Sequence, residues 1–291
     1  MDISKGVPFQ TQNLRKGKQY IKRGQTIFPC PFSVNASNFF NLAPDEEVVT
    51  VLGKPMGRII LEYDFSLVTK SGFGVQPAEA EAMRLISNYT SVPAPEVYHT
   101  DFSTEDNGFI EMSLIQGSPL EGIWNTLNEK AKESICRQTW DLISEIQSVP
   151  PQYEGIFQCA ADGSPSRDPL LEDLQSPPRS LTSDSELRDR IYERYVHCGG
   201  SRYEHELPSM LPKSNQSVFT HGDIAPRNIM VENGNITGII DWEHAGWYPD
   251  YWEYAQIMRP AFWGDWSIWM ERTALERWDL SGINASRKVL F

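Results

Sequence analysis

Runs rich in β-branched and other apolar residues recur early in the chain, at 47–51, 58–63 and 66–70, and predict three strands. Gly53, Pro55 and Gly57 punctuate the first gap between them. A helix is predicted over 77–88, with Pro77 in its first turn and Ala82, Met83 and Ile86 at helical spacing. The proline-rich stretch 91–95 suits neither element, and two further strands are expected at 96–99 and 109–115. Beyond Gly117 the period changes. Ala131, Ile135, Trp140, Leu142, Ile143 and Ile146 fall on one broad face, predicting an amphipathic helix over 127–147. Residues 150–185 are rich in Pro, Ser, Asp and Gly and read as a long surface excursion. Further helices are expected at 185–195, 249–258 and 267–278. Residues 1–45 show no firm periodicity, although Phe39, Phe40 and Leu42 could pack as an extension on the domain. The pattern is α+β: a mostly antiparallel sheet with one helix, then a helical half.

Within the helical half lies the most informative stretch, Phe219-Thr220-His221-Gly222-Asp223-Ile224-Ala225-Pro226-Arg227-Asn228-Ile229-Met230-Val231, followed by Ile239-Ile240-Asp241-Trp242-Glu243. Glu232-Asn233-Gly234-Asn235 between them is a turn signal between two apolar runs, which predicts a short β-hairpin. With Asn228 at the start of its first strand and Asp241 at the end of its second, the two side chains should lie roughly 5 Å apart. Asp223 sits in the loop that enters the hairpin. Two carboxylates and a carboxamide converge there as oxygen donors, the set that suits Mg²⁺ shared with substrate phosphates. A chance His-Gly-Asp with Asn at this offset is expected in about one chain in a thousand. An ordinary acidic turn is therefore the weaker account.

His-Gly-Asp-x4-Asn followed by Ile-Asp-Trp-Glu resembles the aminoglycoside phosphotransferase and choline kinase-like family, and most of all its fungal-type members. The resemblance implies a protein-kinase-like, two-lobed fold, with a nucleotide-side N-lobe at 46–115 and a catalytic and acceptor-side C-lobe at 116–291. It implies ATP and Mg²⁺ as cofactors, Asp223 orienting or deprotonating an acceptor hydroxyl, and Asn228 and Asp241 as metal ligands. It also implies that Lys70, at the end of an apolar strand, binds α/β-phosphates and is held by Glu79. The backbone of 112–115, with Met112 and Leu114, would receive the purine edge. By the same likeness His221 orients its loop rather than moving protons, and Arg227 either neutralises phosphate or pairs with an acid. The stretch 53–57 departs from the family pattern, because Pro55 removes a backbone donor that could meet a phosphate. Ser71-Gly72-Phe73-Gly74 follows Lys70 and so lies on the wrong side for that role. No His-Arg-Asp, Asp-Phe-Gly or Ala-Pro-Glu is present, which argues against a protein kinase.

Composition narrows the rest. With 291 residues, 40% hydrophobic and 22% charged, the chain has ample length for a core. No apolar run approaches the ~18 residues of a membrane span, and no signal peptide is visible, so the cytoplasm is expected. Cys30, Cys136, Cys159 and Cys198 show no metal or disulfide spacing. A net charge of −13 argues against nucleic acid or an anionic membrane as partner. It would also suit a cationic substrate, though solubility explains it more simply. Trp242, Trp247, Tyr248, Trp252, Trp263, Trp266 and Trp269 crowd the last third beside Glu243, Asp250 and Glu253. Aromatics and carboxylates together suit a cationic acceptor, with Glu243 the leading contact for an amine, although packing of the helical lobe is the simpler account. The expected function is phosphorylation of a hydroxyl on a small molecule such as an amine, an amino-sugar or a secondary metabolite. The alternative is a kinase-fold binding or regulatory protein without turnover. The sequence leaves oligomeric state open.

Overall fold

A computed structural model describes residues 6–30, 33–35, 42–55, 57–104, 107–259 and 264–290; Phe39, Phe40, Met56 and Trp263 lie outside them. The chain divides into two units, 1–80 with 95–114 and 81–94 with 115–291.

The first unit is an eight-stranded antiparallel sheet. Its strands are β1 (Val7–Pro8), β2 (Gln19–Arg23), β3 (Thr26–Pro29), β4 (Glu46–Gly53), β5 (Arg58–Tyr63), β6 (Leu67–Gly72), β7 (Val97–Asp101) and β8 (Gly108–Ser113), in the order β1-β3-β2-β4-β5-β6-β8-β7. Leu14, Tyr20, Ile27, Val49, Val51, Ile59 and Leu61 form one buried cluster on it. Three strands fall within 7–29, where no element is expected from pattern. β2 carries Lys22 and Arg23, which hide its strand character. In the ladder these lie opposite Glu47 and Glu46 of β4, and each pairs with its partner. The glycine after Lys70 also has a packing explanation. Gly72 adopts φ +121°, and a Cβ there would lie 2.2 Å from the Gly57 carbonyl oxygen. The helix α1 (Pro77–Tyr89) follows β6.

The second unit is mainly helical, with α2 (Glu129–Ile146), α3 (Asp184–His197), α4 (Leu207–Met210), α5 (Trp252–Ile257), α6 (Trp266–Thr273) and α7 (Ser281–Leu290). Asn128 caps α2 by accepting from Ala131 N–H at 3.0 Å. Two small antiparallel sheets complete it: β10 (Cys159–Ala160), β14 (Gly246–Pro249) and β11 (Ser217–Thr220), and β13 (Asn235–Ile239), β12 (Ile229–Glu232) and β9 (Ser118–Pro119). The predicted helix at 249–258 begins later, at Trp252, because Gly246–Pro249 is taken into β14. The excursion 150–185 is anchored rather than loose. Leu170, Leu171 and Leu181 are buried. The Asp173 carboxylate, wholly buried, binds Arg179 at 2.9 Å and Arg190 at 2.8 Å, and those guanidinium groups hold its carboxyl well below the usual carboxylate range.

Candidate active site

In the first unit, Lys70 lies in β6 between Ile60 and Ile110 of its neighbours. Its Nζ is 2.8 Å from Glu79 Oε1, and both side chains are buried, at 5% and 2% exposure. Glu79 occupies the first turn of α1, where a helix favours a carboxylate. Met112 is in β8, opposite Val68 and Val97. Leu114 follows that strand, and its N–H donates to the Ser66 carbonyl at 2.9 Å. In the 53–57 loop, the Lys54 ammonium donates to the carbonyls of Thr11 at 2.7 Å and Leu14 at 3.0 Å.

In the second unit, β11 runs into the His221-Gly222-Asp223 loop, a 3-10 turn at Pro226–Asn228, and then β12. His221 is fully buried. Its Nδ1 accepts from Asp223 N–H at 3.2 Å, so Nε2 carries the proton and donates to the Ile240 carbonyl at 3.2 Å. Burial pushes its pKa down to about 4, which keeps the ring neutral. This ring is a brace between loop and hairpin. Gly222 adopts φ +80°, and a Cβ there would meet the His244 carbonyl oxygen at 2.7 Å.

Beneath the loop lies Glu253 of α5, 1% exposed. Its Oε2 accepts from the His221 N–H at 2.7 Å and the Gly222 N–H at 3.1 Å. This carboxylate was grouped above with groups that might meet a cationic acceptor; it grips backbone instead. The available signal was a lone acid inside the aromatic run Tyr251-Trp252-Glu253-Tyr254. Burial pushes its carboxyl from an ordinary 4.5 up to about 7, against the pull of the loop N–H groups. A folded pKa above the unfolded one means that stability is lost as pH rises between those values. Glu253→Gln, which cannot ionise, is therefore expected to gain on the natural protein by on the order of 2–3 kcal/mol between pH 4.5 and 7. Glu253→Ala, which strips the acceptor from two buried N–H groups, is expected to cost about 3 kcal/mol. Urea melts across this pH range check both, and a constant difference between Glu253→Gln and the natural protein would refute the first.

Asp223 Oδ2 accepts from Asn228 Nδ2 at 2.9 Å and from the Arg227 guanidinium. Asn228 is 3% exposed, and its Nδ2 also donates to the Asp223 carbonyl at 2.9 Å. With its amide nitrogen so engaged, the oxygen is the atom Asn228 has for a cation. The hairpin turns at Asn233 and Gly234, with φ +52° and +80°, as a two-residue primed turn requires. Ile229 pairs with Ile239, and Ile240 N–H donates to the Asn228 carbonyl at 2.9 Å. Asn228 thus lies in the 3-10 turn just before the strand, facing Ile240, and Asp241 falls one residue beyond, at φ +67°. Asp241, Asp223, Glu243 and Arg227 line a polar cavity of about 260 Å³, whose wall also includes Asp168 and Arg259. His244 Nε2 lies 3.7 Å from Glu243 Oε1.

A profile of the phosphotransferase enzyme family matches residues 74–286. The chain belongs to the phosphotransferase enzyme family. No curated protein matches it in sequence. Among solved structures, apo aminoglycoside phosphotransferase APH(4)-Ia, as a thermostable mutant, is 17% identical with a TM-score of 0.56, over 87% of this chain and 86% of that one. A ternary complex of the same enzyme with AMP-PNP and hygromycin B is 16% identical with a TM-score of 0.55, over 81% and 78% of the two chains. The GDP and kanamycin complex of APH(2")-IIia is 18% identical with a TM-score of 0.53, over 87% and 84%. This member of the phosphotransferase family has the protein-kinase-like α+β fold, and it is a small-molecule kinase.

Trp242, Trp247, Tyr248, Trp252, Trp266 and Trp269 are buried, between 0% and 6% exposed. Trp247 packs edge-on against Phe219 at 4.9 Å and Tyr153 at 5.5 Å, and Tyr248 stacks on Trp252 at 5.4 Å. They build the core under the phosphotransferase loop. No helix among the described residues is long and apolar enough to cross a membrane.

Proposed function

We propose that this phosphotransferase uses ATP and Mg²⁺ to phosphorylate a hydroxyl on a small polar molecule. The carrying observation is the Asp223 carboxylate, held at one oxygen by Asn228 and Arg227 on the wall of a polar cavity shared with Asp241. Complexes of the structural neighbours with AMP-PNP or GDP support nucleotide use.

The nucleotide side is assigned to 46–115 and the catalytic and acceptor side to 116–291. Lys70, steadied by Glu79, neutralises α/β-phosphate charge, and the backbone around Met112 and Leu114 takes the base. The Asn228 amide oxygen and the Asp241 carboxylate are hard oxygen donors and fit Mg²⁺. Bound there, the ion neutralises charge on the transferring phosphates. Asp223 has both of its side-chain contacts on Oδ2. Its Oδ1 is thereby left to orient the acceptor hydroxyl and take its proton as the acceptor oxygen bonds to the γ-phosphorus of ATP and the bond from that phosphorus to the departing ADP breaks. Glu243 is assigned to an amine of the acceptor. Glu253 and His221 hold the loop so that Asp223 costs little to position.

A second reading, a binding protein without turnover, draws on the 53–57 loop, where Pro55 offers no N–H and Lys54 is engaged with Thr11 and Leu14. Thermal unfolding with ATP, with and without Mg²⁺, separates the two. At a hundredfold excess over Kd the nucleotide is expected to stabilise the protein by about 2.7 kcal/mol, with Mg²⁺ strengthening the effect. No shift under either condition would sink the kinase reading.

A further inference from the structure

One part of the lining of the Asp223 cavity, around Arg259, brings together cations that the phosphotransfer roles do not use. Arg259 lines the cavity and is 43% exposed at its side chain. It binds Gln256 Oε1 and lies 3.8 Å from Asp168 Oδ2. Behind it is Arg287, 6% exposed, which donates to the Ala255 carbonyl at 2.8 Å and to the same Gln256 oxygen at 3.2 Å. Asp168 is occupied elsewhere, accepting from Gln256 Nε2 at 2.6 Å and Leu170 N–H at 2.9 Å. Two guanidinium groups thus share one amide oxygen, with a single carboxylate, Asp168, beside Arg259. Both Nε atoms are buried without an acceptor among the described residues. The crowding shows in Arg287, whose pKa burial and Arg259 together push down to about 10.

One carboxylate, Asp168, itself hydrogen-bonded by Gln256 and Leu170, stands against two guanidinium groups, which leaves Arg259 with capacity for a further anion from the cavity. The other acids of the lining have partners or roles of their own. Asp223 is paired with Arg227, Asp241 is assigned to the cation, and Glu243 is assigned to an amine of the same acceptor. The cavity of about 260 Å³ also bounds size. We infer that the acceptor is a small hydroxylated molecule bearing an anionic group, a carboxylate or a phosphate, which Arg259 binds with Arg287 behind it. This deepens, and rests on, the assignment of Asp223 to the acceptor hydroxyl.

The test is calorimetric titration of the protein with glycerate, L-serine and glycerol 3-phosphate, beside glycerol and serinamide as partners without an anion. At least one anionic probe is expected to bind saturably while its uncharged or cationic counterpart does not; glycerate against glycerol 3-phosphate tells carboxylate from phosphate. Arg259→Gln should weaken that binding by about tenfold or more, the range of one charge-assisted contact. Arg259→Lys, which keeps the charge but loses the fork, should retain part of it and shows that any loss is not misfolding. ATP stabilisation should be unchanged in both variants. Anions that fail to bind, or bind Arg259→Gln as well as the natural protein, overturn the inference. The kinase reading fails separately: Arg259-dependent anion binding without any ATP effect would leave the anion site standing and remove the phosphotransfer, whereas ATP turnover on amino-alcohols with no anion binding would do the reverse.

Discussion

Asp223→Asn is expected to lower kcat by about a thousandfold, within the range for losing a positioned proton acceptor, while KM for ATP stays within about threefold. The amide keeps an oxygen for Asn228 and Arg227, which bind the carboxylate in the natural protein, so the loop should hold and the unfolding midpoint should move little. Steady-state kinetics with any accepted substrate, beside a thermal melt, give both numbers. Retention of more than about a tenth of the turnover would show that the acceptor proton goes elsewhere. Asp223→Ala is a harsher probe, because it also strips the side-chain acceptor from Asn228 Nδ2. A lower melting point in that variant would report the loop rather than the chemistry.

The second large effect concerns Lys70 and Glu79. Their ion pair is 2.8 Å long, with both side chains almost wholly buried. Removing either partner leaves a charge without its counterion in a medium that solvates it poorly, at a cost of about 3–5 kcal/mol. Lys70→Ala should therefore lower the urea midpoint sharply. Lys70→Met combined with Glu79→Leu removes both charges and fills the space, and most of that stability should return. Turnover should not return. A lost phosphate contact is expected to hold kcat/KM for ATP about a hundredfold or more below the natural value. If the double variant recovers activity along with stability, the pair is structural only and the nucleotide contact lies elsewhere.

The comparison of residues with structure is uneven along the chain, for physical reasons. The predicted strands at 58–63 and 66–70 fall on β5 and β6: Ile59 and Leu61 alternate into a core, and Val68, Thr69 and Lys70 are buried in succession within the sheet. The hairpin around Asp241 is equally local. Asn233 and Gly234 prefer the left-handed conformation that a two-residue turn demands, so they announce it without outside help. The strands within 7–29 are different. Gln19–Arg23 is polar in composition and becomes a strand between β3 and β4, where Tyr20 enters the buried cluster and Glu46 and Glu47 lie opposite its cations.

The site divides along the same line. The spacing of His221, Gly222, Asp223, Asn228 and Asp241 is enough by itself to identify the loop and the family, since all five lie within one supersecondary unit. Contacts of longer range decided the rest. Glu253, 32 residues from His221, grips its N–H from beneath. Arg287 and Arg259 meet over Gln256, and Asp168 reaches Gln256 across 88 residues. No local pattern encodes which charges share a wall, because that depends on how α5 and α7 pack. The residues proposed for phosphoryl transfer are therefore close together in the sequence, whereas the charges lining the cavity came together only when distant residues folded.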